Sequence, residues 1–227
     1  MKKLTALSII AFNTFIGFSQ ETITTQAFNK LKISSKIQVE LINASEDRIE
    51  IVSGNRDDLG FSNTNAVVTL KDNGKTLSKA NNYNLKVKVY SSKLNALETE
   101  NGAYVYGNAI ITNDFTINSN LNSKIDLNFD ANTVTVNTNS NAEVILNGKI
   151  KNLTATAATS SIINAKDLET NESAKLSVTT GGTIEILTNG EVDAQTKAGG
   201  TIRVKGNPKS FKEKTNFGGR IIQENKE

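Results

Sequence analysis

The stretch from residue 175 to residue 204 decides the fold of this chain. It reads KLSVTTGGTIEI at 175–186 and, after a short LTNGE segment, VDAQTKAGGTIRV at 192–204. In both copies a Gly-Gly pair separates two runs in which apolar and polar residues alternate. Gly181 and Gly199 are 18 positions apart (199 − 181), and Gly199 and Gly218 are 19 apart (218 − 199). A period near 19 residues, with strand-type alternation inside it, predicts a repeat architecture.

One repeat can be read from its apolar positions. Period-two alternation places Leu176 and Val178 on one face of a strand, and it does the same for Ile184 and Ile186 in the next strand. The Gly181-Gly182 step lies between these strands, where a sharp bend needs a positive φ without a Cβ clash. Such a unit cannot bury its apolar face alone, so neighbouring copies must stack.

The repeat extends through most of the chain. The first apolar residue after each turn recurs every 18 to 21 residues, at Val105, Ile125, Val144, Ile163, Ile184, Ile202 and Ile221. A second set lies seven places before each turn, at Phe115, Val134, Leu153, Ala174, Val192 and Phe211. The middle turns hold Asn122-Ser123, Asn141-Ala142 and Ser160-Ser161 in place of Gly-Gly, and all of these residue types suit turns.

The alternation in both halves of the repeat decides between two solenoid classes. A leucine-rich repeat has a similar period but needs a Leu-rich strand and a helical return. Neither half of this repeat shows helical spacing. The sequence therefore predicts an all-β fold, a parallel β-helix of about 19 residues per coil, in which seven regular coils stack about 4.8 Å apart into a rod of roughly 30 Å.

Residues 20–94 are predicted to be β but irregular. Alternation over Ala27–Ile42, with Ser34-Ser35 at the turn, predicts a degenerate first coil. Short strands are predicted at Arg48–Val52 and around Leu85, Val87 and Val89. The polar segment Ser53–Asn65 is interpreted as a surface loop.

A hairpin is predicted next to this segment. Asp72-Asn73-Gly74 lies between the strand-like runs Val67–Leu70 and Lys75–Ser78. Asn-Gly between two such runs is a strong hairpin signal.

Met1–Ser19 has the features of a secretory signal peptide. Lys2 and Lys3 precede a mostly apolar run, Leu4–Phe18, and Gly17 and Ser19 are the small residues expected before cleavage at Gln20. The apolar run is shorter than the roughly 18 residues of a spanning helix. We therefore expect an exported chain that does not span a membrane after cleavage. The mature chain is predicted to be one domain, 20–227, with regular coils over 95–222 and a tail at 223–227. No cysteine is present near the cut to carry a lipoprotein anchor.

The composition of the chain argues against several classes of function. Removing Lys2 and Lys3 lowers the formal net charge from +3 to +1, which argues against a nucleic-acid partner. The 227 residues include no histidine and no cysteine, so the commonest general base and metal ligand are missing, and no disulfide framework exists. The hydrophobic fraction of 37% and mean hydropathy of −0.33 suit a soluble protein with a thin core.

Carboxylates and serines were considered as catalytic or metal-binding groups. β-Helical polysaccharide lyases use clustered Asp, but Asp126, Asp130, Asp167 and Asp193 occupy unlike repeat positions in different coils, so surface solvation is the favoured interpretation. Calcium needs about six or more oxygens in one place, and Glu46, Asp47, Asp57 and Asp58 are better interpreted as solvated loop residues. No histidine is available to activate Ser160, Ser161 or Ser173, and the Gly-Gly turns lack the helix and the Gly-Lys-Ser/Thr of a phosphate loop.

A pair of tyrosines is the remaining candidate for ligand binding. Tyr104 and Tyr106, with Asn101 and Asn108, could offer a stacking face to a sugar. The alternative expectation is that alternation points one ring into the core and the other toward solvent, in which case the pair would not form a stacking face.

The order of these motifs resembles one bacterial family. The run AGGTIRVKGNP at 198–208, the run FGGRI at 217–221 and the opening Phe28-x-x-Leu31-x-Ile33 resemble the family called putative auto-transporter adhesin, head GIN domain. The middle coils depart from its pattern by having Asn or Ser where Gly is usual. The resemblance covers about residues 25–222 and implies a right-handed parallel β-helix, exported from a Bacteroidetes-like bacterium. It implies no catalytic, cofactor-binding or metal-binding residues.

Two functions follow as hypotheses. The first is a non-catalytic envelope or surface protein that binds a glycan or a surface protein in the manner of an adhesin, in the periplasm, on the cell surface or outside the cell. The alternative is a carbohydrate-active β-helix enzyme, either a polysaccharide lyase or a hydrolase. The Asn/Thr/Lys-rich surface favours the first, and no cofactor is expected for it.

Overall fold

The structure is a computed structural model that describes residues 21–74 and 83–224. Its strands are β1 Glu21–Thr24, β2 Lys30–Ile33, β3 Ile37–Asn43, β4 Arg48–Ser53, β5 Leu59–Thr64, β6 Val67–Asp72, β7 Leu85–Ser91, β8 Ala96–Thr99, β9 Tyr104–Ser119, β10 Lys124–Thr138, β11 Glu143–Ala157, β12 Ile162–Val178, β13 Thr183–Thr188, β14 Glu191–Thr196, β15 Thr201–Lys205, β16 Ser210–Thr215 and β17 Arg220–Glu224. A single 3₁₀ turn, Arg56–Asp58, is the helical element within these ranges.

Two parallel ladders of strands form the solenoid. The first ladder joins the strands that follow each tight turn, in the order β3, β9, β10, β11, β12, β13, β15 and β17. The second ladder joins the strands that precede each turn: β2, β8, the later halves of β9 to β12, β14 and β16. The predicted all-β solenoid with coils of about 19 residues is confirmed.

The predicted repeat positions lie in register. Val105 pairs with Ile125, and the ladder continues through Val144, Ile163, Ile184, Ile202 and Ile221. The second set pairs in the same way from Phe115 to Phe211. Both sets are buried up to the last coil, where Ile221 and Phe211 are partly covered. Stacked aliphatic side chains therefore form the core along the axis of the solenoid.

Seven tight turns, from residue 101 onward, place two consecutive residues at positive φ, and the turn at Ala198 adds a third, Gly200. The second residue is Gly102, Asn122, Asn141, Ser160, Gly181, Gly199 or Gly218 in successive turns. The first is never glycine, and in two turns it is a threonine, Thr159 or Thr180. The turns stack through backbone bonds, such as Ser160 N–H to the Thr180 carbonyl at 3.1 Å. This stacking offsets the cost of left-handed backbone in residues with a Cβ.

The N-terminal coil is the second layer of the stack, next to the layer at one end. β2 and β3 lie between β6 and β7 on one side and β8 and β9 on the other. Their turn at Ser34-Ser35 confirms the predicted degenerate coil. The strands predicted near Arg48–Val52 and Leu85–Val89 are also confirmed, as β4 and β7. β4 and β5 pair antiparallel with β7 and β6, and β1 pairs antiparallel with β4, so antiparallel strands cover this end of the solenoid.

The prediction of a surface loop over Ser53–Asn65 is wrong for its second half. Residues 59–64 form β5, which pairs with β6 around a turn at Asn65 and Ala66, with φ of 52° and 60°. The Asn-Ala turn contains no glycine, and β5 presents one polar face to solvent. The sequence therefore showed neither a glycine turn nor a continuous apolar run that would mark β5 as a strand. At the other end of β6, Gly74 N–H donates to Asp72 Oδ1 at 2.8 Å, but the predicted partner strand Lys75–Ser78 lies outside the described residues.

Candidate functional site

The tyrosine pair at the start of β9 lies on the outer surface of the solenoid. Val105, between the two tyrosines, is fully buried in the first ladder, whereas Tyr104 and Tyr106 are partly exposed. The expectation that the pair splits between inside and outside is therefore wrong. Residues two apart in a strand point to the same face, so alternation itself requires both rings to share one side.

The two rings form a stacked platform. The ring centroids of Tyr104 and Tyr106 are 5.4 Å apart, with 29° between the planes. Tyr83 extends the platform, with its centroid 6.1 Å from that of Tyr104. Lys36 Nζ lies 5.5 Å from the centre of the Tyr83 ring, within the range of a cation–π interaction. Three aromatic rings, two from β9 and one from the segment before β7, thus line one stretch of the outer face.

Polar groups flank the platform on both sides. In the first ladder Tyr104 lies between Gln38 and Lys124, and Tyr106 lies between Glu40 and Asp126. We call these four residues with Tyr83, Tyr104 and Tyr106 the tyrosine face. It combines ring surfaces with an amide, an ammonium and two carboxylates, which suits a ligand with apolar C–H faces and many hydroxyl groups.

Burial of the phenols changes their acidity. Desolvation raises the pKa of Tyr106, and the nearby Glu40 charge adds to this effect. Desolvation also raises the pKa of Tyr83. Both phenols therefore keep their protons at neutral pH and can donate a hydrogen bond to a ligand oxygen.

Sequence reasoning identified the two tyrosines but missed their neighbours from the first coil. Gln38 and Glu40 precede Tyr104 by more than 60 residues, and Tyr83 belongs to a third segment. Aligning Ser34-Ser35 with the later turns would match Ile37 to Val105, because each later anchor lies three residues after the first turn position. The observed register pairs Val39 with Val105, two residues further on, so that alignment would not have placed Gln38 and Glu40 beside the tyrosines. Of the two asparagines grouped with the pair, Asn101 lies in the preceding turn and donates to the Ser34 carbonyl at 3.1 Å.

The structure does not bring the four aspartates together. Asp126 accepts from Asn147 Nδ2 at 3.3 Å, and its ladder neighbours are Tyr106 and Ile145. Asp130 and Asp167 are exposed at other repeat positions of the first ladder's strands, and Asp193 lies on β14 in the second ladder. No two of these four aspartates are matched in register, so they do not form the paired carboxylates that glycoside hydrolysis uses.

The acidic N-terminal residues are also dispersed. Asp47 accepts from the Ser92 backbone N–H and hydroxyl, both at 3.2 Å, and Glu46 lies 3.8 Å from Arg48. Asp57 and Asp58 belong to the 3₁₀ turn. In residues 21–74 and 83–224, no three His, Cys, Asp or Glu side chains are grouped so that they could hold a metal ion.

The serines considered as nucleophiles are turn or ladder residues. The buried Ser161 hydroxyl shares a 2.8 Å hydrogen bond with Thr138, and Ser173 donates to Asn152 Oδ1 at 2.7 Å. Ser160 supplies the second positive-φ residue of its turn. These contacts assign the three residues to coil-to-coil packing.

The comparisons with known proteins agree with this architecture. The family model described as "Putative auto-transporter adhesin, head GIN domain" matches residues 27–208. Among curated proteins no match is found.

Solved structures share the fold at low sequence identity. A putative adhesin from Bacteroides fragilis superimposes with a TM-score of 0.80 at 17% identity, covering 90% of this chain and 96% of that one. A putative adhesin from Parabacteroides merdae gives 0.60 at 19%, covering 92% and 96%. A protein from Parabacteroides distasonis described as a putative lipid binding protein gives 0.61 at 16%, covering 89% and 96%. At these identities the similarity demonstrates the shared fold.

Proposed function

Because the chain belongs to the putative auto-transporter adhesin, head GIN domain family, we propose that it is a non-catalytic, exported envelope or surface protein that binds a glycan through the tyrosine face. The stacked pair Tyr104 and Tyr106 on the outer wall is the observation that carries this proposal. Aromatic rings offer a flat apolar surface, and the surrounding amide and carboxylates can pair with hydroxyl groups.

The rigid position of the platform supports binding. The tyrosine-bearing strand β9 is held by backbone pairing to β3 and β10 on its two sides. Rings held in place by a scaffold lose little conformational freedom when a ligand binds, which favours affinity. A surface protein of another cell could use the same face, and this is an outcome that the test below distinguishes.

A glycan array of the purified protein tests the proposal. We expect defined glycans to bind, and Tyr104→Ala or Tyr106→Ala to weaken binding at least tenfold, which corresponds to about 1.4 kcal/mol. Tyr104→Phe should retain most of the affinity because the ring remains. Tyr90→Ala is the matched control, since this outward tyrosine is engaged by Arg48 and Glu50 on a neighbouring strand.

Two results would contradict the proposal. The first is the absence of any glycan bound by the wild-type protein. The second is glycan binding that survives loss of both tyrosines. Binding of a surface protein without glycan binding would assign the face to the other partner class.

A polysaccharide-cleavage screen tests the enzymatic alternative. We expect no turnover, because Asp126, Asp130, Asp167 and Asp193 occupy unmatched positions in different coils. Sustained cleavage that disappears in Asp126→Asn or Asp193→Asn would establish an enzyme instead.

Export is a separate part of the proposal. The signal peptide Met1–Ser19 lies outside the described residues and stays a prediction from sequence. Within residues 21–74 and 83–224, no helix has the length and apolarity to cross a bilayer. Intact-mass measurement of the exported protein should show a chain that begins at Gln20, and a mature chain that retains Leu4–Phe18 would contradict cleavage.

A further inference from the structure

The parallel wall of the solenoid is interrupted between its first coil and the next one. β3 and β9 pair from Gln38–Tyr104 to Leu41–Gly107, and the register ends there. β9 carries an extra residue at this point, so that Leu127 and Phe129 of β10 face Gly107 and Ile110. Pairing with the coil below resumes at Thr116, whose N–H donates to the Asn95 carbonyl at 2.9 Å.

A cleft of about 290 Å³ occupies this interruption. Its lining includes Leu41 and Ile42 of β3, Ile110 and Ile111 of β9, and residues 91–95, which comprise the last residue of β7 and the connection that follows it. Among the described residues, no backbone hydrogen bond joins residues 42–43 to residues 108–114. Backbone groups on both sides can therefore pair with a ligand.

The lining has the character of a small-ligand site. Leu41, Val89 and Ile110 are buried and form an apolar floor. Exposed amides, including Asn43 and Asn113, lie at the rim. Ile111, which is 67% exposed, adds an apolar lip.

The charge and shape of the cleft limit its occupant. Its two charged residues, Lys93 and Asp114, have opposite signs, which favours a neutral ligand over an anionic one. Ladder pairing stops at Leu41–Gly107 and resumes at Ala96–Thr116, and this limited gap favours a compact ligand over a long extended one. A compact ring with hydroxyl groups and an apolar C–H face fits both limits.

We propose that this cleft is a subsite for one neutral sugar residue, and that it receives the end of a glycan bound by the tyrosine face. Tyr106 and Ile110 lie on the same strand, and their partners Asp126 and Phe129 are three residues apart, so the two residues are separated by roughly 10 Å at about 3.3 Å per residue. One glycan chain can therefore contact both places. This inference rests on the proposed function and adds to it a pocket where a single sugar residue is selected.

Amide-resolved NMR titration of the protein with neutral methyl glycosides tests the cleft directly. The probes are the methyl glycosides of glucose, galactose, mannose and N-acetylglucosamine. We expect at least one to give saturable shifts at residues 42–43 and 110–114. Ile111→Ser should weaken its binding at least fivefold, and Asn43→Trp, which fills the opening, should abolish it. Ile162→Ser is the matched control, because Ile162 is another exposed isoleucine on a first-ladder strand, and it should change affinity less than twofold.

The same titrations separate failure of the cleft from failure of the tyrosine face. If an array glycan binds in a tyrosine-dependent manner while no glycoside shifts the cleft amides and Ile111→Ser binds normally, the cleft inference is overturned and the proposed function stands. Glycoside binding at the cleft together with tyrosine-independent glycan binding supports the cleft and contradicts the tyrosine face. Absence of all sugar binding overturns both. Stronger cleft shifts with N-acetyl-leucine amide than with any glycoside also overturn the inference, because the cleft would then prefer a protein side chain.

Discussion

At the scale of single residues, the two glycines of the Gly181-Gly182 turn have different roles. Gly181 has a φ of 76°, and a Cβ placed there would be 3.8 Å from the nearest side chain, Ser160 Oγ. Gly182 does not need a positive φ, but a Cβ there would lie 2.6 Å from the Ala157 carbonyl oxygen. The first glycine supplies backbone conformation, and the second supplies space.

This difference predicts unequal tolerance to the same substitution. Gly181→Asn should cost less than about 1 kcal/mol, because asparagine tolerates left-handed backbone and already occupies this position at Asn122 and Asn141. Gly182→Asn should cost roughly 1–3 kcal/mol through overpacking against backbone. Thermal melts of the two variants provide the comparison, and equal losses would refute the division of roles.

A partly buried charge cluster on the second ladder predicts a pH dependence. Glu98 Oε2 lies 2.6 Å from Lys30 Nζ, and its Oε1 lies 3.0 Å from Lys32 Nζ. The hydrogen bond from Lys30 lowers the pKa of Glu98, and Lys32 lowers it further. The hydrogen bond to Glu98 raises the pKa of Lys32 in turn.

Because the pKa of Glu98 is lower in the folded protein than in the unfolded chain, its ionised form stabilises the fold at neutral pH. That contribution is complete above the ordinary glutamate pKa and is lost as the pH falls through the lowered folded value. Glu98→Gln should therefore lower the melting temperature by a few degrees at pH 7, for a loss of up to about 1 kcal/mol.

The matched control for Glu98 is an unpaired glutamate. Glu213→Gln changes an exposed residue of β16 that has no ion pair within the described part of the chain. It should have little effect on the melting temperature at neutral or acid pH. The difference in melting temperature between Glu98→Gln and wild type should shrink as the pH falls through the lowered folded pKa of Glu98. A difference that stays constant throughout the acid range would show that Glu98 acts through packing instead of charge.

At the scale of the elements, the regular coils were predictable from sequence, whereas the irregular N-terminal region was predictable only in part. The anchors from Val105 to Ile221 follow from alternation and period alone, because an inward ladder requires an apolar residue at one position of every coil. β5 escaped prediction because its apolar alternation is short, with Leu59 buried and Phe61 partly buried against the core, and polar residues follow at 62–64. The tyrosine platform needed knowledge of which coil lies beside β9, and this depends on the order of strands in space.

The inward ladder predicts the outcome of two neighbouring substitutions in β15. Ile202 is fully buried and pairs with Ile184 and Ile221, whereas Thr201 points outward and is partly exposed. Ile202→Asp loses roughly 1.5–3 kcal/mol of burial and adds the larger cost of an unpaired buried carboxylate.

Thermal melting of Ile202→Asp and Thr201→Asp tests this assignment. The buried substitution should lower stability by more than about 3 kcal/mol, and the outward one by less than about 1 kcal/mol. Equal losses would contradict either the inward ladder or the stacking of coils.

At the scale of the whole molecule, the two ends of the solenoid differ. Antiparallel strands β4 and β5 cover the end at β7 and β6, and they pair there along most of their length. At the other end, within residues 21–74 and 83–224, β16 pairs with β14 and β17 with β15, each on one side. Phe217, in the turn between β16 and β17, is 90% exposed.

This difference follows from the path of the chain. The first coil, β2 and β3, is inserted between two later coils, so the chain must leave the stack and return to it around the covering strands. Alternation predicts which residues point inward, but it does not distinguish a coil at the end of the stack from one inside it. The order of the N-terminal coils was therefore outside the reach of the sequence pattern.

The asymmetry predicts a gradient of local stability along the axis. In a solenoid each coil is stabilised by its neighbours, so a coil with one neighbour opens more readily than one with two. Amide hydrogen exchange should be slowest in β10 and β11, faster in β15 and fastest in β16 and β17. The amides of β2 and β3 should exchange slowly, although they lie early in the chain, because parallel strands flank them on both sides. Uniform protection, or faster exchange in β2 and β3 than in β17, would contradict this account of how the coils support one another.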